Sequence, residues 1–297
     1  QQGLKHMDIQ GIQAFLTVSD TGSFSRAADA LFLTQPAVSK RIQALEHSLG
    51  ISLFDRIGKS VRLTEAGHAL LPSCRRIVAE IAESQRIISN LRKTTSGTLS
   101  LATSHHIGLH RLPPVLREFS NSYPDVELKL NFMDSEEACQ QIISGDIELA
   151  IITLPGEDND RLEMKPVWND PLCVVVSSQH PLAATSRPGI KQLLNHAAIL
   201  PSRGTYTRKL IDAALGLDEP VNTLLETHYL ETIKAMVQTG LGWSMLPLSM
   251  LDKTLAALDI RHARTTRRHG IVVHSMRTKS NAANAMIKQL MKYADEL

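Results

Sequence analysis

The stretch Ser23–Leu49, SFSRAADALFLTQPAVSKRIQALEHSL, decides the reading of the chain. Ser23 suits a helix N-cap, and Phe24, Ala27, Ala28 and Leu31 follow at helical spacing. A short break covers Phe32 to Thr34. Thr34 or Gln35 then caps a second helix, with Pro36 in its first turn, where a missing N–H is harmless. The apolar side of that helix is Val38, Ile42, Leu45 and Leu49, spaced 4, 3 and 4. Gln35, Ala37, Ser39, Lys40, Gln43 and Ala44 are left to face outward. Two short helices joined by a tight turn, the second polar near its start, describe a helix-turn-helix. The plain alternative is a small helical core with no partner.

The surrounding residues extend the pattern: Phe15, Gly22-Ser23-Phe24, Ala27-Ala28, Leu31, Gln35-Pro36-Ala37-Val38-Ser39, Ile42, Leu45-Glu46, Leu49-Gly50, Leu53-Phe54, Arg56 and Leu63-Thr64-Glu65-Ala66-Gly67. In this order the chain closely resembles the LysR-type transcriptional regulators, and more loosely so over its remainder. The resemblance implies an N-terminal all-α winged helix-turn-helix, a long linker helix, and a C-terminal α/β effector domain. That domain would have two lobes, like periplasmic solute-binding proteins. It further implies a regulator of promoter or operator DNA that binds a small-molecule effector, touches RNA polymerase and assembles as a homotetramer from two dimers.

Composition agrees with a regulator of this size. The 297 residues are too many for one compact core and suggest about two domains. A hydrophobic content of 43% with 21% charge is that of a globular chain, not a disordered one. Net charge is only +2, so nucleic-acid binding has to come from local placement. Between Met7 and Thr64 six basic residues meet five acidic ones, and every basic residue except Arg26 lies at or after the second helix. Cys74, Cys139 and Cys173 are scattered and odd in number, which fits a reducing cytoplasm better than a disulfide framework. No run of 18 apolar residues suggests a membrane span. Gln1 to His6 reads as a leftover of recombinant expression, with Met7 as the natural start.

Three regions are expected. Residues 7–64 form the DNA-binding domain: a first helix over Ile9, Ile12, Phe15, Leu16 and Val18, the two helices above, and a hairpin wing around Gly58-Lys59-Ser60. Residues 65–93 form a linker helix in which Leu70, Cys74, Ile77, Ile81, Ser84, Ile88 and Leu91 repeat every 3.5 residues, a coiled-coil seam that dimerisation would bury. Pro72 should loosen its first turns, and packing onto the chain's own second domain is the alternative. Residues 97–297 alternate strands and helices, which argues a parallel sheet with covering helices. By resemblance, lobe I takes about 97–166 and 268–297, and lobe II about 167–267.

Expected DNA contacts are Ser23, Gln35, Pro36, Ala37, Ser39, Lys40 and Arg41, with Arg56, Lys59 and Arg62 on the wing meeting phosphates or standing as solvated charge. Gln35 is the candidate for a base edge and Ala37 for a thymine methyl. Ligands of open α/β sheets sit beyond strand C-termini beside helix starts. That points to Ser104 and His105, to Thr153, to Ser202 and Arg203, and to His228, and to a small anionic metabolite. Ordinary helix capping is the competing role for each hydroxyl.

His105, His106 and His110 raise a metal, because 106 and 110 share a helical face, but no acidic residue accompanies them in sequence. No metal and no cofactor is therefore expected. Cys139 and Cys173 lack the basic flanks of a redox switch. An enzyme or a redox sensor on the same domain is the alternative function. No P-loop, Gly-x-Ser-x-Gly elbow, dinucleotide fingerprint or His-Glu-x-x-His motif supports catalysis.

Overall fold

A computed structural model describes residues 7–57, 60–91, 94–217, 221–261 and 263–295. The chain divides near residue 91 into two compact units. No described helix is long and apolar enough to cross a membrane.

The first unit runs α1 (Ile9–Thr21), α2 (Phe24–Ala30), α3 (Gln35–Leu49), β1 (Phe54–Ile57), β2 (Ser60–Leu63) and α4 (Glu65–Asn90). Side-chain caps set several starts: Asp8 accepts from the Gly11 N–H, Ser23 from Arg26 and Thr64 from Gly67. Thr34 begins α3 without a side-chain cap hydrogen bond, and Pro36 stands in the first turn. The expected apolar positions Val38, Ile42 and Leu45 are buried with Phe15, Ala27 and Leu53 in one core, whereas Leu49 is 40% exposed. The Glu46 carboxylate accepts the N–H groups of Leu53 (2.7 Å) and Phe54 (3.3 Å), tying α3 to the hairpin. A Cβ on Gly67 would lie 2.3 Å from the Leu53 carbonyl oxygen, so only glycine lets α4 pass this close.

The seam expected along α4 is not one stripe. Leu70, Cys74 and Ile77 pack into the core of the first unit, with Cys74 fully buried. Ser84 is exposed, as are Ile88 (61%) and Leu91 (74%). Early turns of α4 thus complete the three-helix core, and only the later apolar positions lack cover. The heptad spacing was the same for both, because a helix that packs on its own domain also shows a 3–4 repeat.

The second unit contains β3 (Gly97–Thr103), α5 (His105–His110), α6 (Leu112–Ser122), β4 (Val126–Phe132), α7 (Ser135–Ser144), β5 (Leu149–Thr153) and β6 (Leu162–Ser177). There follow α8 (Ile190–Leu194), β7 (Ala198–Leu200), α9 (Tyr206–Leu215), β8 (Thr223–Glu226), α10 (Leu230–Gln238), β9 (Ser244–Pro247), β10 (Leu255–Leu258), β11 (Thr265–His274) and α11 (Asn281–Met291).

The main sheet has the order β10-β6-β11-β5-β3-β4, with β9 also on β6. It is mixed, which corrects the parallel sheet expected from alternation. Only β3–β4 and β3–β5 pair in parallel there, while β11 and β6 run antiparallel to their neighbours. Alternation cannot distinguish these cases when a strand returns from far along the chain. Strands β6 and β11 pair along most of their length, with a register shift at His269/Gly270. A Cβ on Gly270 would meet the Lys165 carbonyl oxygen at 2.4 Å, so the irregularity requires glycine.

Period-two alternation loads both faces of the sheet. Leu149 and Ile151 join a core with Ile107, Phe119 and Leu290, while Ala150 and Ile152 join another with Ala138 and Ile142. At the far end of β6, Val174 and Val176 pack with Ile211 and Trp243, and Val175 with Ile233 and Val237. Each end of the sheet therefore has its own pair of cores, and β6 and β11 run between them. The helix expected over Leu109–Phe119 is two pieces, α5 and α6, because Pro113 and Pro114 stand where α6 begins.

Candidate nucleic-acid interface and ligand cleft

On α3, Gln35, Pro36, Lys40 and Gln43 are exposed, and Ala37, Ser39 and Arg41 are half-buried. The helix thus presents a polar flank whose other side holds Val38 and Ile42 at full burial. Arg62 on β2 is exposed. Arg56 belongs to β1, and Lys59 lies outside the described residues. Ser23 uses its oxygen to accept the Arg26 N–H (3.3 Å), a capping role that keeps its O–H for donation.

Sequence reasoning missed Phe32. It sits in the turn between α2 and α3, is 97% exposed and has φ +54°. A bulky residue is uncommon in the left-handed region, and an aromatic ring fully in water beside a polar helix start is unusual. Its position inside an apolar-looking run, Leu31-Phe32-Leu33, concealed this.

In the second unit, a small cavity of about 50 Å³ is lined by Ser104, His105, Thr153 and His228 among others. These are four of the six expected ligand residues. Ser202 and Arg203 are outside its lining. Arg203 faces Glu226 (3.3 Å) with most of its side chain in solvent. The cation in the lining is Arg267 instead, 3% exposed, bonded to Asp170 through Nε (2.9 Å) and Nη2, and donating to Thr207 Oγ1 (3.2 Å). Arg267 lies on β11, at the end of the range expected for lobe II, and its partner Asp170 is 97 residues away in the chain.

Hydroxyls and carboxylates complete the cavity. Ser104 precedes α5 without a cap hydrogen bond of its own side chain. The Thr153 N–H donates to Ser135 Oγ (3.2 Å), and His228 Nδ1 meets Asp134 at 2.8 Å. Glu136, at the start of α7, accepts the backbone N–H of Tyr206 in the first turn of α9. A carboxylate of the chain thus occupies the positive end of a ten-residue helix capped by Thr205. At about 50 Å³ the cavity has room for only a few water molecules. Tyr206 also lines a larger hollow of about 510 Å³ bounded by Cys139, Leu154, Lys209 and Arg268.

Burial raises the thiol pKa of Cys74 and Cys139, and pushes Cys173 up to about 11. All three are free. In each case burial, the largest influence, disfavours the thiolate.

The helix-turn-helix profile described as "Bacterial regulatory helix-turn-helix protein, lysR family" matches residues 9–68, and "LysR substrate binding domain" matches residues 92–295. A "Probable RuBisCO transcriptional regulator" of Synechocystis sp. is 31% identical over 285 residues, covering 92% of this chain and 83% of that one. Among solved structures, a full-length OxyR variant from Pseudomonas aeruginosa superposes with a TM-score of 0.70 at 21% identity, covering 98% and 99% of the two chains. CbnR complexed with its target DNA superposes at 0.65 and 20% identity, covering 97% and 100%. With both regions matched in order, the chain belongs to the LysR family of DNA-binding transcriptional regulators, with a helix-turn-helix region and an effector-binding α/β domain.

Proposed function

We propose that the chain reads an operator through α3 and responds to a small carboxylate held in the cleft bordered by Ser104, Thr153 and Arg267. One observation carries the effector part: Glu136 already sits on the Tyr206 N–H, where a ligand carboxylate would bind. Hydroxyls of Ser104 and Thr153 and the guanidinium of Arg267 line the same cavity. His105 and His228 stand at its wall. An entering carboxylate displaces Glu136, frees α7 from α9 and so changes the angle between the two ends of the sheet.

On the DNA side, Gln35 meets a base edge and Ala37 a thymine methyl, while Ser39, Lys40, Arg41, Arg56, Lys59 and Arg62 engage the backbone. Two chains pair through the exposed later turns of α4 to present two such helices to an inverted repeat. Association of two dimers into a tetramer, and contact with RNA polymerase, rest on family membership.

Calorimetric titration of the full chain with a panel of small carboxylic acids, beside binding of the upstream promoter fragment, tests this reading. Saturable binding of at least one acid, weakened by Ser104→Ala, is expected. Affinities that all survive Ser104→Ala unchanged place the effector elsewhere.

A further inference from the structure

Among the described residues, one group of histidines and acids is close enough to hold a metal ion: His106, His110 and Glu231. The two histidines occupy successive turns of α5, and Glu231 lies in the first turn of α10. His106 Nδ1 is 3.4 Å from Glu231 Oε1, and His110 Nε2 is 3.0 Å from the same oxygen. The imidazole rings of His106 and His110 are 4.8 Å apart. The three donor atoms lie within 4.8 Å of one another. Donors around a tetrahedral zinc ion stand roughly 3.3 Å apart, close to the two histidine–Glu231 separations.

We infer that His106, His110 and Glu231 form a binding site for a divalent transition-metal ion. Two imidazoles four residues apart on one helix plus a carboxylate make a three-ligand set with an open position for water. Neutral imidazole selects zinc, nickel, cobalt or copper over magnesium or calcium, which prefer all-oxygen sites. The acid that the sequence could not show comes from 121 residues beyond His110, brought there by the fold.

The burial gradient fits an ion reached from solvent. His106 is 7% exposed, while His110 and Glu231 stand at 49% and 36%. Behind His106 lies His269, its ring centre 6.2 Å away and both ring nitrogens without a hydrogen-bond partner among the described residues. Because Ile107 of α5 packs in one core and Leu230 and Ile233 of α10 in another, the ion would join the two ends of the sheet across the cleft rim. His106 also lines the small cavity of the carboxylate reading, but none of the three metal ligands is asked to hold the anion there.

The test uses the full chain stripped with a chelator and titrated with Co²⁺, whose ligand-field spectrum reports imidazole and carboxylate coordination, followed by displacement with Zn²⁺. His110→Ala and Glu231→Gln, both partly exposed, are run beside it with circular dichroism as a check of folding. One Co²⁺ per chain, displaced by Zn²⁺ and not by Mg²⁺, with affinity at least about tenfold weaker in each variant, is expected. No saturable binding, or parent affinity retained in either variant, overturns the site.

Discussion

The Glu136 carboxylate accepts the backbone N–H of Tyr206, a contact between α7 and α9 across 70 residues of sequence. In the proposed function an incoming carboxylate competes with it for that donor. Glu136→Gln keeps the shape and removes the charge, so effector carboxylates should bind about tenfold more tightly, roughly 1.4 kcal/mol. Isothermal titration of the parent chain and the variant measures this. Unchanged or weaker binding would show that Glu136 is not a stand-in for the ligand.

Gln35→Ala and Arg62→Ala separate reading from holding. The first should relax preference between operator and random DNA. The second should weaken both alike and lower the salt slope by about one. Fluorescence anisotropy on both DNAs at several salt concentrations distinguishes them, and equal losses for Gln35→Ala would remove it from base readout.

Phe32 holds a left-handed backbone with its ring in water. Glycine relieves the strain but loses more freedom on folding, so Phe32→Gly should shift stability by less than about 1 kcal/mol. If the ring lies against DNA, operator affinity drops while urea unfolding barely moves. Retained affinity would reduce Phe32 to an idle turn residue.

A dimer through α4 makes a direct demand on Ile88 and Leu91, both exposed in the single chain. Ile88→Glu with Leu91→Glu should dissociate it, seen by sedimentation as a shift to lower mass. The fold of the first unit should persist, because its core uses Leu70, Cys74 and Ile77 instead. Unaltered mass would move the dimer interface off this helix.

Thiol chemistry should be slow. With burial taking Cys173 from 9.0 to about 11, its thiolate near pH 8 is about a hundredfold scarcer than that of an ordinary cysteine. Alkylation of the native chain should keep accelerating past pH 9, and peroxide should leave operator binding unchanged. Fast modification near neutral pH would restore the redox-sensor alternative.

Legibility in the sequence followed the range of the physics involved. α3 was readable because its 4-and-3 spacing and Pro36 are local signals, and α7 (Ser135–Ser144) for the same reason. The first ten residues of β6 were hidden, since Glu163, Lys165 and Asp170 with Pro166 and Pro171 break the apolar alternation. Strand β10 escaped as Leu-Ala-Ala-Leu, a pattern that fits helix equally well. Ser104 and Thr153 could be named as candidates because a hydroxyl at a strand end is a local signal. Glu136, Arg267 and Glu231 could not, because each finds its partner far away in the chain.

The long pairing of β6 with β11 bears on synthesis as well as on form. The core around Leu99, Leu101 and Leu149 is incomplete without Ile271, Met286 and Leu290 near the C-terminus. A chain emerging from the ribosome can therefore condense its DNA-reading unit early, yet must keep the sheet unfinished until β11 has emerged and its core unfinished until α11 has followed. During that interval β5 exposes an uncovered edge and apolar faces, which makes the nascent second unit the segment most in need of chaperone protection.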